Sequence, residues 1–311
     1  MEYKRKKGMD VSVFSLGTVQ LGMDYGLGEH RAKPKREYAL SLLDAAMARG
    51  VNLLDTANNY GESERVIGEW LRGVEESKRP RIVTKIGPFD HSSPEALERD
   101  IYAQTERCMQ DLGVGRLDIL MVHDCADYEK SPDVIKRVFE DLKRSGRIRL
   151  TGISVYSRHD YFLVAESGFD SVQIPLNIFD WKQIDNGGIR ALADAGMMIF
   201  VRSVFLQGLV FIRPEAVDPR MDFCVPYLEK FYGFCEKFKM TPGVLAMSFA
   251  LSVPGVASLV LGCQTLEQLS ENCEMIKAVR QLSESELEEL HEAFGEIDGR
   301  VIDPRLWYNR F

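Results

Sequence analysis

Short apolar runs recur along the chain, spaced so that a helix fits between each pair. Residues 13–17, 51–55, 81–84, 117–122, 148–154, 171–174, 198–202 and 257–261 are such runs. Near-continuous hydrophobicity over so few residues is the mark of strands covered on both faces. The intervening segments carry apolar residues at helical spacing. Residues 36–49 align Leu40, Leu43, Ala46 and Met47. Residues 94–111 begin with Pro94 behind Ser93, a side-chain cap followed by proline in the first turn, and residues 132–145 repeat the device behind Ser131. Further helices are expected over 226–238 and 242–252. Residues 203–225 read as a long loop of the kind that serves as a functional lid.

Strands alternating with helices imply parallel βαβ units. Eight of them fit a closed (β/α)8 TIM barrel better than an open sheet. The chain of 311 residues is accordingly read as one domain, residues 1–311, with a short N-terminal β-hairpin ahead of the barrel. Composition narrows the function classes. A formal net charge of −8 argues against a nucleic-acid partner. The basic start Lys4, Arg5, Lys6 and Lys7 is too short to alter this and reads as a solvated strand edge. No apolar run approaches the roughly 20 residues of a membrane span, and no signal-peptide core precedes the first strand. The six cysteines, Cys108, Cys125, Cys224, Cys235, Cys263 and Cys273, form no C-x-x-C pair and no metal spacing. They are expected to be reduced, mostly buried thiols of a cytoplasmic protein, with Cys125 notable because it follows His123 by two residues. No metal site is implied, and nothing in the pattern specifies an oligomeric state.

The informative residues stand at the strand ends, where barrel active sites collect. The second strand ends in Asp55-Thr56, the third in Thr84-Lys85, the fourth in His123-Asp124 and the fifth in Ser154. The sixth carries Gln173 with Asn177 beyond it, and the seventh ends in Arg202-Ser203. Singly, Asp55 reads as a helix cap, Lys85 as a snorkelling surface residue and His123 as a structural histidine. Their recurrence at one rim favours a site. Asp55 and Lys85 lie on adjacent strands and can pair. Tyr60 follows in the loop after Asp55, and an adjacent ammonium lowers the pKa of a phenol. Tyr60 beside Lys85 is therefore a group able to give and recover a proton, with His123 placed to hydrogen-bond a substrate oxygen. Alone, Tyr60 would read as a loop aromatic packed on the rim.

At these residues the chain resembles the aldo-keto reductase superfamily, nearly from end to end. Asp55-Thr56-Ala57-Asn58-Asn59-Tyr60-Gly61 with Ser63-Glu64 is similar to its D-T-A-x-x-Y-G-x-S-E signature. Val83-Thr84-Lys85 resembles its lysine strand, His123 its histidine, and Leu16-Gly17-Thr18 with Leu21-Gly22 its first strand. The resemblance implies a tetrad of Asp55, Tyr60, Lys85 and His123. In it Tyr60 is the general acid for carbonyl reduction and the base in reverse. Hydride would come from NAD(P)H. Gly17, Thr18 and Asp55 would border the cofactor, and Ser154 with Gln173 would hold the nicotinamide carboxamide. Val155 stands where the family commonly has asparagine. Ser203, Phe205, Leu206 and Gly208 resemble the pyrophosphate loop. Arg202 stands where many members stack an aromatic on nicotinamide; a guanidinium plane can stack in its place.

Gly262, Gln264, Gln268, Glu271 and Asn272 resemble the adenosine site. The family prior sets NADP(H) ahead of NAD(H), although Gly262 and Gln268 stand where basic side chains often hold a 2′-phosphate. Lys277 and Arg280 fall later on the helix. The substrate pocket would draw on Tyr25, Tyr60, His123 and Asp124, with Met23, Asp24, Cys125, Phe205 and Phe211 nearby. Trp307 and Tyr308 read first as ties holding the tail. Residues 19–26 and 202–209 resemble bacterial members associated with deoxysugar or aldose chemistry, so a small carbonyl or alcohol, sugar-derived among them, is the expected partner. Two other readings stay open: a slow or regulatory nicotinamide-binding subunit, and an aldolase-type barrel forming a Schiff base on Lys85.

Overall fold

A computed structural model describes residues 1–25, 32–156 and 158–307. Two antiparallel strands, β1 (Tyr3–Lys6) and β2 (Met9–Ser12), open the chain as the expected hairpin. Eight parallel strands follow: β3 (Phe14–Gly17), β4 (Leu53–Asp55), β5 (Arg81–Ile86) and β6 (Leu117–Val122), then β7 (Ile148–Ser154), β8 (Ser171–Pro175), β9 (Met198–Arg202) and β10 (Val256–Gly262). Each pairs with the next, and β10 pairs back onto β3 to close the barrel.

Closure divides the apolar residues into two cores. The larger lies between the strands and the ring of helices. The smaller fills the barrel with Leu53, Val83, Ile119, Met121, Leu150, Met198, Phe200 and Ala257. Met9 and Val11 of the hairpin join this inner core, so β2 stoppers the N-terminal mouth. Gly152 is what lets Met121 into the barrel: a Cβ there would lie 2.7 Å from its Cγ.

Strand alternation turns this filling into a positioning device. Two residues beyond Leu53, Val83, Met121 and Phe200, on the same inward face, stand Asp55, Lys85, His123 and Arg202. Apolar layers fill the barrel and polar side chains cap its C-terminal end.

Ser93 caps the helix Pro94–Leu112 by accepting the Ala96 amide hydrogen. Ser131 precedes the helix Pro132–Arg144 without capping it; its hydroxyl lies 3.2 Å from His91 Nδ1 instead. Residues 203–225 hold three 3-10 segments, Leu206–Phe211, Pro214–Ala216 and Pro219–Cys224, rather than an unstructured loop. Trp307 is buried in the larger core, and its indole donates to the Arg300 and Val301 carbonyls of the tail itself. Tyr308 lies outside the described residues. No helix among the described residues is long and apolar enough to cross a membrane. Phe200→Ala should leave a cavity in the inner core and lower unfolding free energy by about 3–5 kcal/mol. Urea melts would show the midpoint drop; an unchanged midpoint would mean that the inner core does not carry stability.

Candidate active site

Lys85 is 1% exposed and Asp55 3%. A buried ammonium must be paired, and Lys85 Nζ donates to both Asp55 carboxylate oxygens at 2.8 Å and to the Thr56 carbonyl at 3.0 Å. Gln173 Nε2, arriving from β8, donates to Asp55 Oδ1 at 2.7 Å. These contacts set aside the separate readings of Asp55 as a cap and of Lys85 as a surface residue.

Tyr60 stands over this pair, its ring centroid 5.1 Å from Lys85 Nζ. His123 meets the Tyr60 ring edge-on, with centroids 5.7 Å apart. The loop bearing Tyr60 is held by close backbone contact. A Cβ on Gly22 would lie 1.7 Å from the Tyr60 carbonyl oxygen, and one on Gly61, at φ +58°, would lie 2.4 Å from the Gly22 oxygen. The Ser63-Glu64 pair pins the strand ends beneath it. Ser63 Oγ accepts from Thr56 Oγ1 and donates to the Thr18 carbonyl, while Thr84 Oγ1 donates to Glu64 Oε1 at 2.6 Å. Gln104, which strand-end reasoning could not find, reaches in from the helix Pro94–Leu112. Its Oε1 accepts from Asn58 Nδ2 and the Gly87 amide.

The electrostatics correct one expectation. Burial raises the Tyr60 phenol above its ordinary value; Lys85 pulls it down but does not overcome burial. Burial alone would also lower the Lys85 ammonium, but Asp55 and Tyr60 hold it above its ordinary value. Held so, the amine is a poor Schiff-base nucleophile. His123 is lowered to about 3 by burial, with Lys85 and Arg202 adding to the effect. Its imidazole is therefore neutral at physiological pH, and Nδ1 is buried without a hydrogen-bond partner. Burial raises the Cys125 thiol to about 12, so it is no thiolate nucleophile despite its position after His123.

Asp55 and Tyr60 form part of the wall of a cleft of about 1430 Å3. That exceeds the roughly 300–1,000 Å3 of an ordinary small-molecule pocket. The cleft runs past Gly17, Thr18 and Gln173, then Arg202, Ser203, Phe205, Leu206 and Gly208. It ends among Gly262, Gln264, Gln268, Glu271 and Asn272, and Tyr25 and Asp124 also line it. Lys85, His123 and Ser154 do not form its wall; Lys85 lies under the Tyr60 ring and His123, partly exposed, at its edge. Ser154 is buried at the end of β7.

Arg202 lies 4.6 Å from the centroid of Tyr156 and donates to the Val155 carbonyl at 3.0 Å. Tyr156 is a wall residue that the strand-end pattern did not reveal; Arg158 lies 4.7 Å from its ring centroid. Asp124 accepts from the Ala126 amide and lies 3.7 Å from Arg158. Asp24 accepts from the Lys33 amide. The wall also contains strained backbone: Ser203, Leu206 and Gln207 have φ of 65°, 46° and 52°, and Gly208 follows at 95°. Side chains held left-handed cost of order 1–3 kcal/mol each and cluster at ligand clamps. Gln20 Oε1 is a further buried wall atom with no partner. A cleft of this size, with a strained loop and a buried, unpartnered acceptor in its wall, fits a dinucleotide. Among the described residues no cluster of His, Cys, Asp or Glu could hold a metal ion.

Residues 14–294 match the family model of the aldo/keto reductase family. The chain is 26% identical to the uncharacterized oxidoreductase YqkF of Bacillus subtilis, over 92% of this chain and 95% of that protein. It is 24% identical to the NADH-specific methylglyoxal reductase of Escherichia coli, over 76% of this chain and 82% of that one. In structure it resembles an aldo-keto reductase from Bacillus halodurans in its holo form, at a TM-score of 0.77. That likeness covers 97% of this chain and 100% of that one at 18% identity, and it speaks to the fold.

The His123 shift has a consequence for stability. The unfolded imidazole takes up its proton near 6.5, the folded one near 3. Between these values the unfolded state binds more protons, so stability falls as pH is lowered through 6.5 toward 3. His123→Gln removes that contribution, and its unfolding free energy should decline less steeply than wild type between pH 7 and pH 5. Equal slopes would show that His123 charges freely in the folded protein.

Proposed function

The chain belongs to the aldo/keto reductase family, and we propose that it is a nicotinamide-dependent oxidoreductase that reduces an aldehyde or ketone to an alcohol, or runs the reverse. The reading treats residues 1–311 as one catalytic domain. It rests above all on one observation: Tyr60 stands over the buried Lys85–Asp55 pair with neutral His123 against its edge. The cofactor, when bound, supplies or accepts the hydride.

The chain's own residues do the rest. The Tyr60 phenol, protonated at neutral pH as any phenol is and held more firmly so by burial, donates its proton to the carbonyl oxygen. The Lys85 ammonium stabilises the phenolate that remains. Asp55 keeps that ammonium charged and fixed in place. His123, neutral and partly exposed at the edge of the Tyr60 ring, orients the carbonyl oxygen without competing as acid. In the oxidative direction the same phenolate takes the alcohol proton. Tyr60 is therefore the proton carrier and Lys85 its electrostatic tuner.

The size of the cleft allows a dinucleotide and a small carbonyl together. Gln173 would serve the nicotinamide end, with Ser154 behind it, and Arg202 would cover that ring. Ser203, Phe205, Leu206 and Gly208 would follow the pyrophosphate. Tyr25 and Asp124 would face the substrate, for which sugar-derived carbonyls are the first class to try.

Tyr60→Phe keeps the ring and removes the acid. Carbonyl-dependent loss of reduced-cofactor absorbance should fall by roughly 10²–10⁴-fold in kcat. Cofactor affinity, followed by protein fluorescence, should stay near wild type. Full activity in this variant would make the acid assignment wrong.

A further inference from the structure

We propose that the adenosine end of the cleft is built for a ribose with a free 2′-hydroxyl, so that this chain binds NAD(H) in preference to NADP(H), and that Gln20 with Gly262 is the pair that sets the preference. The inference rests on reading the cleft as a dinucleotide site and goes further by choosing between the two dinucleotides.

A 2′-phosphate brings up to two negative charges and oxygens that accept hydrogen bonds, so it needs cations or several N–H donors. A 2′-hydroxyl can donate to a neutral or acidic acceptor. The wall beyond β10 offers acceptors. Glu271 and Glu274 are both part of it, and Gln268 is uncharged. The cations of the described cleft wall, Arg158, Lys182 and Arg202, all follow or end β7, β8 and β9 rather than β10. Among the described residues, two cations near the adenosine end are already paired, Lys277 with a carboxylate of that wall. Lys277 pairs with Glu274 at 2.6 Å, and Arg280 pairs with Glu286 at 2.6 Å; neither forms the described wall.

At position 262 the space for a side chain is already taken. The Gln20 side chain occupies the volume into which a side chain at 262 would grow. A Cβ on Gly262 would lie 2.3 Å from Gln20 Nε2 and 2.7 Å from Oε1. A lysine or arginine at 262 therefore requires Gln20 to move. Gln20 Oε1 is itself buried in the wall with no hydrogen-bond partner. It is an acceptor waiting for a donor, which a ribose hydroxyl or adenine amine supplies and a phosphate does not. The same glutamine thus fills the space that a basic side chain at 262 would take and presents an acceptor oxygen in the wall.

The test is a binding measurement on the full chain. NADH and NADPH are titrated separately against the protein by isothermal calorimetry, without carbonyl substrate. The proposal expects NADH to bind at least about tenfold more tightly, the effect of one uncompensated charge–charge or hydrogen-bond mismatch. Gln20→Ser with Gly262→Lys and Gln268→Arg should then tighten NADPH by about tenfold or more, with NADH changing less than NADPH. Raising salt should erode the gain, because it is electrostatic. Equal affinities in the wild type, or tighter NADPH, overturn the proposal while leaving the dinucleotide reading in place. Binding of neither nucleotide overturns both.

Discussion

A charged lysine inside a packed barrel is the constraint on which the rest of the site depends. Removing an ammonium and a carboxylate from water is costly, and a buried pair is seldom kept for stability alone. Here the cost is offset by dense pairing: Lys85 meets both oxygens of Asp55 and the Thr56 carbonyl, and Gln173 adds a fourth hydrogen bond to the group. Those contacts draw on β4, β5 and β8, so the barrel has to close before the pair is satisfied. Once formed, the pair fixes a positive charge beneath Tyr60. The charge cannot wander, because the surrounding volume is filled.

The positioning follows from strand alternation. The inward faces of β4, β5, β6 and β9 carry apolar residues through the barrel and then a polar one at the end, as from Leu53 to Asp55 and from Val83 to Lys85. Glycines complete the fit where backbones must touch. Gly22 and Gly61 let the first βα loop lie directly on the segment bearing Tyr60. The phenol is thereby held between a buried charge below and an open cleft above. Its proton affinity is set by two opposing effects, burial and the ammonium.

Much of this was legible in the sequence. The eight apolar runs mark the strands because a parallel barrel covers both strand faces, which leaves continuous hydrophobicity. The polar strand ends are visible for the same reason: Asp55, Lys85 and His123 interrupt that continuity. Other features were not legible because they depend on distance along the chain. Gln173 bonds Asp55 across 118 positions, and no local pattern announces it. Gln104 sits within an ordinary amphipathic helix, and Tyr156 follows its strand as one more aromatic. Ser131 has the sequence of a cap but lies within reach of His91. The direction of the Tyr60 pKa required knowing how deeply the ring is covered, which only the packed structure shows.

The central claim is that the Lys85 ammonium lowers the proton affinity of a phenol that burial has raised. Carbon-13 labelling of the tyrosine Cζ, with Tyr60 assigned by its loss in a phenylalanine variant, reads that affinity directly by NMR titration. Lys85→Met leaves burial unopposed, so Tyr60 should titrate at a higher pH in the folded variant than in the wild type. The same or a lower pH in the variant would contradict the account.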